Sequence, residues 1–82
     1  MMRFKLLTDA KRYLDTLDKE TVRQIYEALR KITKEPPIGD VKKLQGYETL
    51  YRLRLGSLRI IFEIKGNHIL VEKIAPRGQA CK

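Results

Sequence analysis

Cysteine and histidine are the scarcest reactive side chains in this 82-residue chain, with one of each, Cys81 and His68. A lone cysteine excludes an internal disulfide and fits a reducing cytoplasm. With no Cys/His cluster, no metal site is expected and no staple supports a small core. No apolar run approaches the ~20 residues that span a bilayer. The opening "MMRFKLL" is too short and too charged to read as a signal peptide. No glycine-rich loop opens a helix, so a cradle for nucleotide phosphates is not expected either. Repeats and low-complexity segments are absent, and the length suits one domain, 1–82.

Positive charge is what the chain has in excess. Lysine and arginine number 18 against 10 acidic residues, a formal net charge of +8. On so small a domain that charge makes a polyanion the default partner, either nucleic acid or a strongly acidic protein segment.

The apolar pattern predicts an α+β domain. Arg3 to Leu7 reads as a short strand, with Phe4 and Leu6 alternating against Arg3 and Lys5. Thr8 is placed to cap a helix whose Ala10, Tyr13, Leu14 and Leu17 share one face. Asp18 caps a second, in which Val22, Ile25, Leu29 and Ile32 repeat at spacings of three and four until about Lys34. The short link folds the two into an αα-hairpin. Pro36 and Pro37 stop the second helix, and "VKKLQGYETL" reads as a basic connector. Strands follow at Leu50–Leu55, Leu58–Lys65 and 68–75. Gly56-Ser57 and Gly66-Asn67 join them as tight turns, the first suited to type II′. The expected order is β-α-α-β-β-β, a mainly antiparallel sheet with the helical hairpin on one face.

A two-residue turn at Gly56-Ser57 fixes the register of the hairpin. It pairs Leu55 with Leu58, Arg54 with Arg59, Leu53 with Ile60, Arg52 with Ile61 and Tyr51 with Phe62. Side chains alternate between faces. Tyr51, Leu53, Leu55, Leu58, Ile60 and Phe62 then form an apolar face for the helices, and Arg52, Arg54 and Arg59 share the other. Arg54 stands across from Arg59, with Cβ atoms ~5 Å apart, where like charges destabilise the pair. Arginine's planar fork grips phosphate oxygens, so a cationic phosphate site accounts for the pairing better than a merely solvated face. The last strand returns toward Arg59 and brings Arg77 near the same end. Counting back from Gly66-Asn67 puts Lys73 on the apolar face, a misfit that a bulge near Glu72 relieves.

These segments, "VKKLQG" before the hairpin, "YRLRLGSLRIIFEI" across it and "IAPRGQACK" at the end, together resemble the RelE/ParE superfamily of bacterial toxins. The resemblance covers nearly the whole chain. It implies the toxic half of a toxin–antitoxin pair and, in its RelE-like branch, an endoribonuclease that cuts mRNA on the ribosome without a metal or cofactor. Residues aligned with that catalytic surface are Arg52, Arg54, Arg59 and Arg77. A tyrosine usual near the C-terminus is replaced here by Cys81, which implies slow cleavage or binding alone. Lys42, Lys43 and Lys82 are expected as outer contacts to the RNA backbone. The implied partners are the ribosome, mRNA and an acidic antitoxin, part-disordered when free, in the cytoplasm and away from membranes.

The acid–base side of such chemistry is thin. Arginine is a poor proton donor, with a pKa above ~12. His68 reads as a turn residue at the far end of the hairpin. Glu63 lies on the arginine face but four strand positions from Arg59, and it or Glu72 balances the arginines. Tyr47 is a nearby phenol, whereas Tyr51 points to the core. Cys81 is either an acid with a thiol pKa lowered by arginines or inert. Two other readings stand beside the ribonuclease: a non-enzymatic ParE-like toxin that poisons DNA gyrase, and a stand-alone RNA-binding module. The second is weakened by the lack of an aromatic on the basic face to stack bases.

Overall fold

Hydrophobic periodicity decides the layers. The computed structural model describes residues 3–34, 39–44, 46 and 49–76. They form β1 (Arg3–Leu6), α1 (Thr8–Leu14), α2 (Lys19–Ile32), β2 (Asp40–Lys43), β3 (Leu50–Leu55), β4 (Leu58–Lys65) and β5 (His68–Pro76). The five strands make one sheet in the order β1-β5-β4-β3-β2. Only β1 and β5 run parallel; the other neighbours are antiparallel. The chain is the α+β domain expected, with the helical pair against one face of the sheet.

The core lies between the helices and that face. Ala10 and Leu14 of α1 and Ile25, Leu29 and Ile32 of α2 meet Leu53, Ile60, Phe62, Ile69, Val71 and Ile74 of the sheet. Phe62 is the largest side chain among those buried completely. The interior contains no buried polar or charged residue among those described, so its cohesion is apolar burial, at roughly 25 cal/mol per Å². Phe4, Leu6, Tyr13, Leu17, Val22 and Tyr26 pack around its rim.

Both ends of α1 differ from expectation. Thr8 is the first helical residue, and Leu7 holds the cap position with no side-chain cap. The reason lies in the sheet. The Leu7 amide donates to the Val71 carbonyl at 2.9 Å, carrying the β1–β5 pairing one residue further before the chain turns. Helix α1 also stops at Leu14, earlier than the apolar pattern suggests, and Leu17 reaches the core rim from the turn that follows. Asp18 caps α2 as expected: its carboxylate accepts from the Thr21 amide at 3.2 Å and from the Thr21 hydroxyl at 2.6 Å.

The β3–β4 register matches the expected pairing at every position from Tyr51↔Phe62 to Leu55↔Leu58. Gly56 and Gly66 have φ of +57° and +58°, and no described non-glycine residue has positive φ. Glycine first with Ser57 or Asn67 second is the II′ pattern, whose twist suits the strands it joins. The bulge also falls where the misfit required it. Ile61 pairs with Lys73 but Phe62 with Val71, leaving Glu72 as the extra residue. That step turns exposed Lys73 outward and keeps Ile74 in the core.

The segment read as a connector contains strand β2. Its register runs Asp40↔Arg54, Val41↔Leu53, Lys42↔Arg52 and Lys43↔Tyr51. Val41 alone packs on the core, and one apolar residue among charged ones is too weak an alternation to read as a strand. Pairing with β3 supplies the missing cohesion. Tyr47 and the prolines before β2 fall outside the described residues, as do Arg77, Cys81 and Lys82.

The cap on α2 gives a test with a sign. Thr21 hydrogen bonds hold the Asp18 carboxyl below the ordinary aspartate range. A pKa lowered in the folded state contributes stability above the unfolded value, and that contribution is lost as pH falls through the folded one. Asp18→Ala should therefore lower the thermal midpoint at neutral pH, with the gap from wild type narrowing as the pH drops below the carboxylate range. A gap that stays constant across that range contradicts the capping account.

Candidate nucleic-acid interface

The sheet face turned away from the helices carries most of the strand charge, and its layout follows from the registers. At the Gly56 end, Asp40, Arg54, Arg59 and Ala75 lie side by side across β2, β3, β4 and β5. The next row holds Lys42, Arg52, Ile61 and Lys73. Beyond it come Leu50, Glu63, Leu70 and Lys5. The last row, at the Gly66 turn, is Lys65, His68 and Arg3. Cations dominate this face, with Asp40 and Glu63 as the carboxylates among these positions.

The arginines are not equivalent. Arg54 is exposed and Arg59 half-buried, and the two are direct Cα partners. Arg52 is withdrawn: its side chain is 12% exposed, and its guanidinium lies 3.9 Å from the Asp40 carboxylate. Ile61 beside it is buried although it faces away from the helices. Long cationic stems on both sides of Ile61, from Arg52 and Lys73, let the face keep an apolar floor beneath charged tips.

Asp40 is the residue that sequence reasoning missed. It places a carboxylate opposite Arg54 and close to Arg52, and so offsets part of the repulsion between Arg54 and Arg59. The pattern "GDVKK" carries the signal, since Val41 facing the core obliges Asp40 and Lys42 to face the arginines. The same logic gives the facing of Lys43. Its Cα partner is the core-side Tyr51, so Lys43 is exposed on the other face from Lys42.

Among the described residues, proton-transfer groups are sparse near the arginines. Glu63 is two rows away and accepts a hydrogen bond from the Thr49 hydroxyl at 2.9 Å. His68 is a further row removed, beside Lys65. Glu72 sits at the bulge and lines a shallow groove with Lys5, Thr8 and Asp9. The described part of the site is therefore a surface of guanidinium and ammonium groups, whose charge suits an anion.

Comparison with known proteins places this architecture. The sequence model of the ParE toxin of type II toxin–antitoxin systems matches residues 4–80. The chain belongs to the ParE toxin family. Its relatives include RelE toxins as well, so the RelE/ParE grouping read from the hairpin holds. The RelE chain of the archaeal RelE–RelB complex from Pyrococcus horikoshii is 33% identical, with 96% of this chain and 98% of that one covered and a TM-score of 0.76. Toxin RelE3 of Methanocaldococcus jannaschii is 40% identical over 38 residues, which is 46% of this chain and 43% of that relative's length. The isolated E. coli RelE toxin shares the fold, with a TM-score of 0.79 over 98% of this chain and 88% of that one, at 15% identity. In this ParE-family chain the β3–β4 hairpin thus sits in a toxin fold with its cationic face uncovered by helices.

Removing the Asp40 carboxylate beside these arginines should strengthen their pull on polyanions. Asp40→Asn is expected to elute from heparin at higher salt than wild type, whereas Arg54→Gln/Arg59→Gln elutes at lower salt. An unchanged elution of both variants contradicts the assignment of this end of the sheet as the main anion-binding surface.

Proposed function

We propose that this toxin is an endoribonuclease that cleaves mRNA on the ribosome. The observation that carries the reading is the Arg54–Arg59 pair, held in register at the open end of the sheet with Arg52 in the adjacent row. Two guanidiniums side by side, not neutralised by each other, suit the phosphate oxygens of a strand. RNA supplies its own nucleophile. The 2′-hydroxyl attacks the adjacent phosphorus, the P–O5′ bond breaks, and a cyclic phosphate and a 5′-hydroxyl remain. Negative charge grows on the phosphoryl oxygens during the attack, and fixed donors lower that barrier by about 3 kcal/mol each.

In this reading Arg54 and Arg59 hold the reacting phosphate, joined by Arg77 from beyond β5. Arg52, fixed by Asp40, orients the neighbouring nucleotide. Lys42 contacts the backbone further out, as does Lys82 at the chain's end, while Lys43 serves a surface on the other face. Cys81 stands where RelE-like toxins carry a tyrosine, so proton transfer is the weak step and turnover is slow. Such a toxin is held in check by an acidic antitoxin. The P. horikoshii relative occurs in a complex with RelB, and the net charge of +8 suits a partner of opposite sign.

The match to the ParE family favours a second reading, a toxin that inhibits DNA gyrase without cleaving RNA. The clustered arginines favour the ribonuclease. Primer extension on mRNA from translating ribosomes treated with the purified toxin separates the two. The ribonuclease reading expects new 5′ ends in the presence of toxin, reduced about 100-fold or more by Arg59→Ala or Arg77→Ala. Arg59 lies on the sheet face away from the core, so its substitution should alter stability by no more than ~0.5 kcal/mol. Cys81→Tyr should raise the rate, and a typical acid–base contribution is ~100-fold. Absence of new ends with wild type and Cys81→Tyr alike, together with a DNA-damage response on induction, would favour gyrase as the target.

A further inference from the structure

The open face has a second cationic row that the cleavage site does not use. Lys65, His68 and Arg3 are Cα neighbours across β4, β5 and β1, and all three are exposed. Their common direction follows from their neighbours. Ile64, Ile69 and Phe4 pack on the core, so the adjoining Lys65, His68 and Arg3 point the other way. The Arg3 amide donates to the Asn67 carbonyl at 2.9 Å, which ties β1 to the turn. Among the described residues, neither Arg3 nor Lys65 makes an ion pair. Positions 59 and 65 of β4 are six residues apart, or about 20 Å at ~3.3 Å per residue.

We propose that this row is a second RNA subsite, which grips the strand about 20 Å from the phosphate held by Arg54 and Arg59. The inference rests on the reading of the open face as an RNA surface. Arg3 and Lys65 flank His68 and supply phosphate contacts on either side of it. An imidazole between two cations is a platform on which an unstacked base can lie, and among the described residues of this face it is the one aromatic ring. Glu63 and Leu70 separate the two cationic ends. A strand crossing the face is thus held at both ends and not along a continuous stripe. An acidic protein segment fits the row less well. No apolar side chain stands in it to anchor an amphipathic helix, and its charges lie across strands, not along one edge.

The test measures binding of the toxin to uncleavable 2′-O-methyl single-stranded RNA by fluorescence anisotropy across a salt series. A trinucleotide and an oligonucleotide of about 16 residues are compared, the longer at the upper end of known site sizes. Arg3→Gln/Lys65→Gln should bind the longer RNA about tenfold more weakly at low salt, with the slope of log K against log salt reduced by about 1.4, or 0.7 per phosphate contact. Trinucleotide binding should be unchanged. Arg3→Lys/Lys65→Arg should restore the slope, and His68→Ala should weaken the longer RNA without changing it. Lys11→Gln/Arg30→Gln removes the same charge from exposed helix positions and should leave the slope as in wild type.

A slope unchanged in Arg3→Gln/Lys65→Gln, with Arg59→Gln still weakening RNA, overturns the second subsite and leaves the cleavage site standing. Equal losses in the helix control overturn it too, since net charge then explains the effect. Poly-glutamate binding is measured in parallel, and its loss in Arg3→Gln/Lys65→Gln with RNA binding intact assigns the row to an acidic protein and overturns the proposal. Wild type that binds neither RNA overturns the RNA surface as a whole.

Discussion

The two-residue turn at Gly56-Ser57 is the constraint on which the rest depends. It sets β3 against β4, and a period of two then separates every apolar residue of the hairpin from every arginine. A slip of β3 by one residue would drive Arg52 and Arg54 into a core that holds no buried polar group among the described residues. Burial of Leu53, Ile60 and Phe62 therefore enforces the positions of the arginines, although none of those apolar residues touches the open face. Packing on one side of the sheet maintains electrostatics on the other.

This arrangement explains how a small domain tolerates Arg54 beside Arg59. The cost of a like-charge pair is a few tenths of a kcal/mol or somewhat more, small against burial of a core that joins both helices to three strands. Asp40 reduces it further. The remaining imbalance leaves an unsatisfied affinity for anions, which is the property a phosphate site needs. Stability and the proposed function are thus drawn from opposite faces of the same hairpin.

Much of this was legible in the sequence because tight turns and alternation are local rules. The hairpin register, the Asp18 cap and the bulge at Glu72 each follow from a few adjacent residues. Strand β2 was not legible, since "DVKK" has one core residue and becomes a strand only by pairing with β3. Asp40 was hidden with it, and with Asp40 the withdrawal of Arg52. The facing of Lys43 was hidden for the same reason, because facing is defined only once a strand is recognised. The far row of Lys65, His68 and Arg3 depends on the parallel β1–β5 pairing, a contact between opposite ends of the chain that no local rule announces.

The central claim is that RNA lies on the face of the sheet away from the helices. The most direct measurement is a titration of the isotope-labelled toxin with an uncleavable single-stranded RNA, followed by amide and side-chain chemical shifts. The account predicts that the shifts move for Lys42, Arg52, Arg54, Arg59 and Lys73, while the exposed surfaces of α1 and α2 stay still. Movements confined to the helices, with the arginines of the hairpin unchanged, would contradict it.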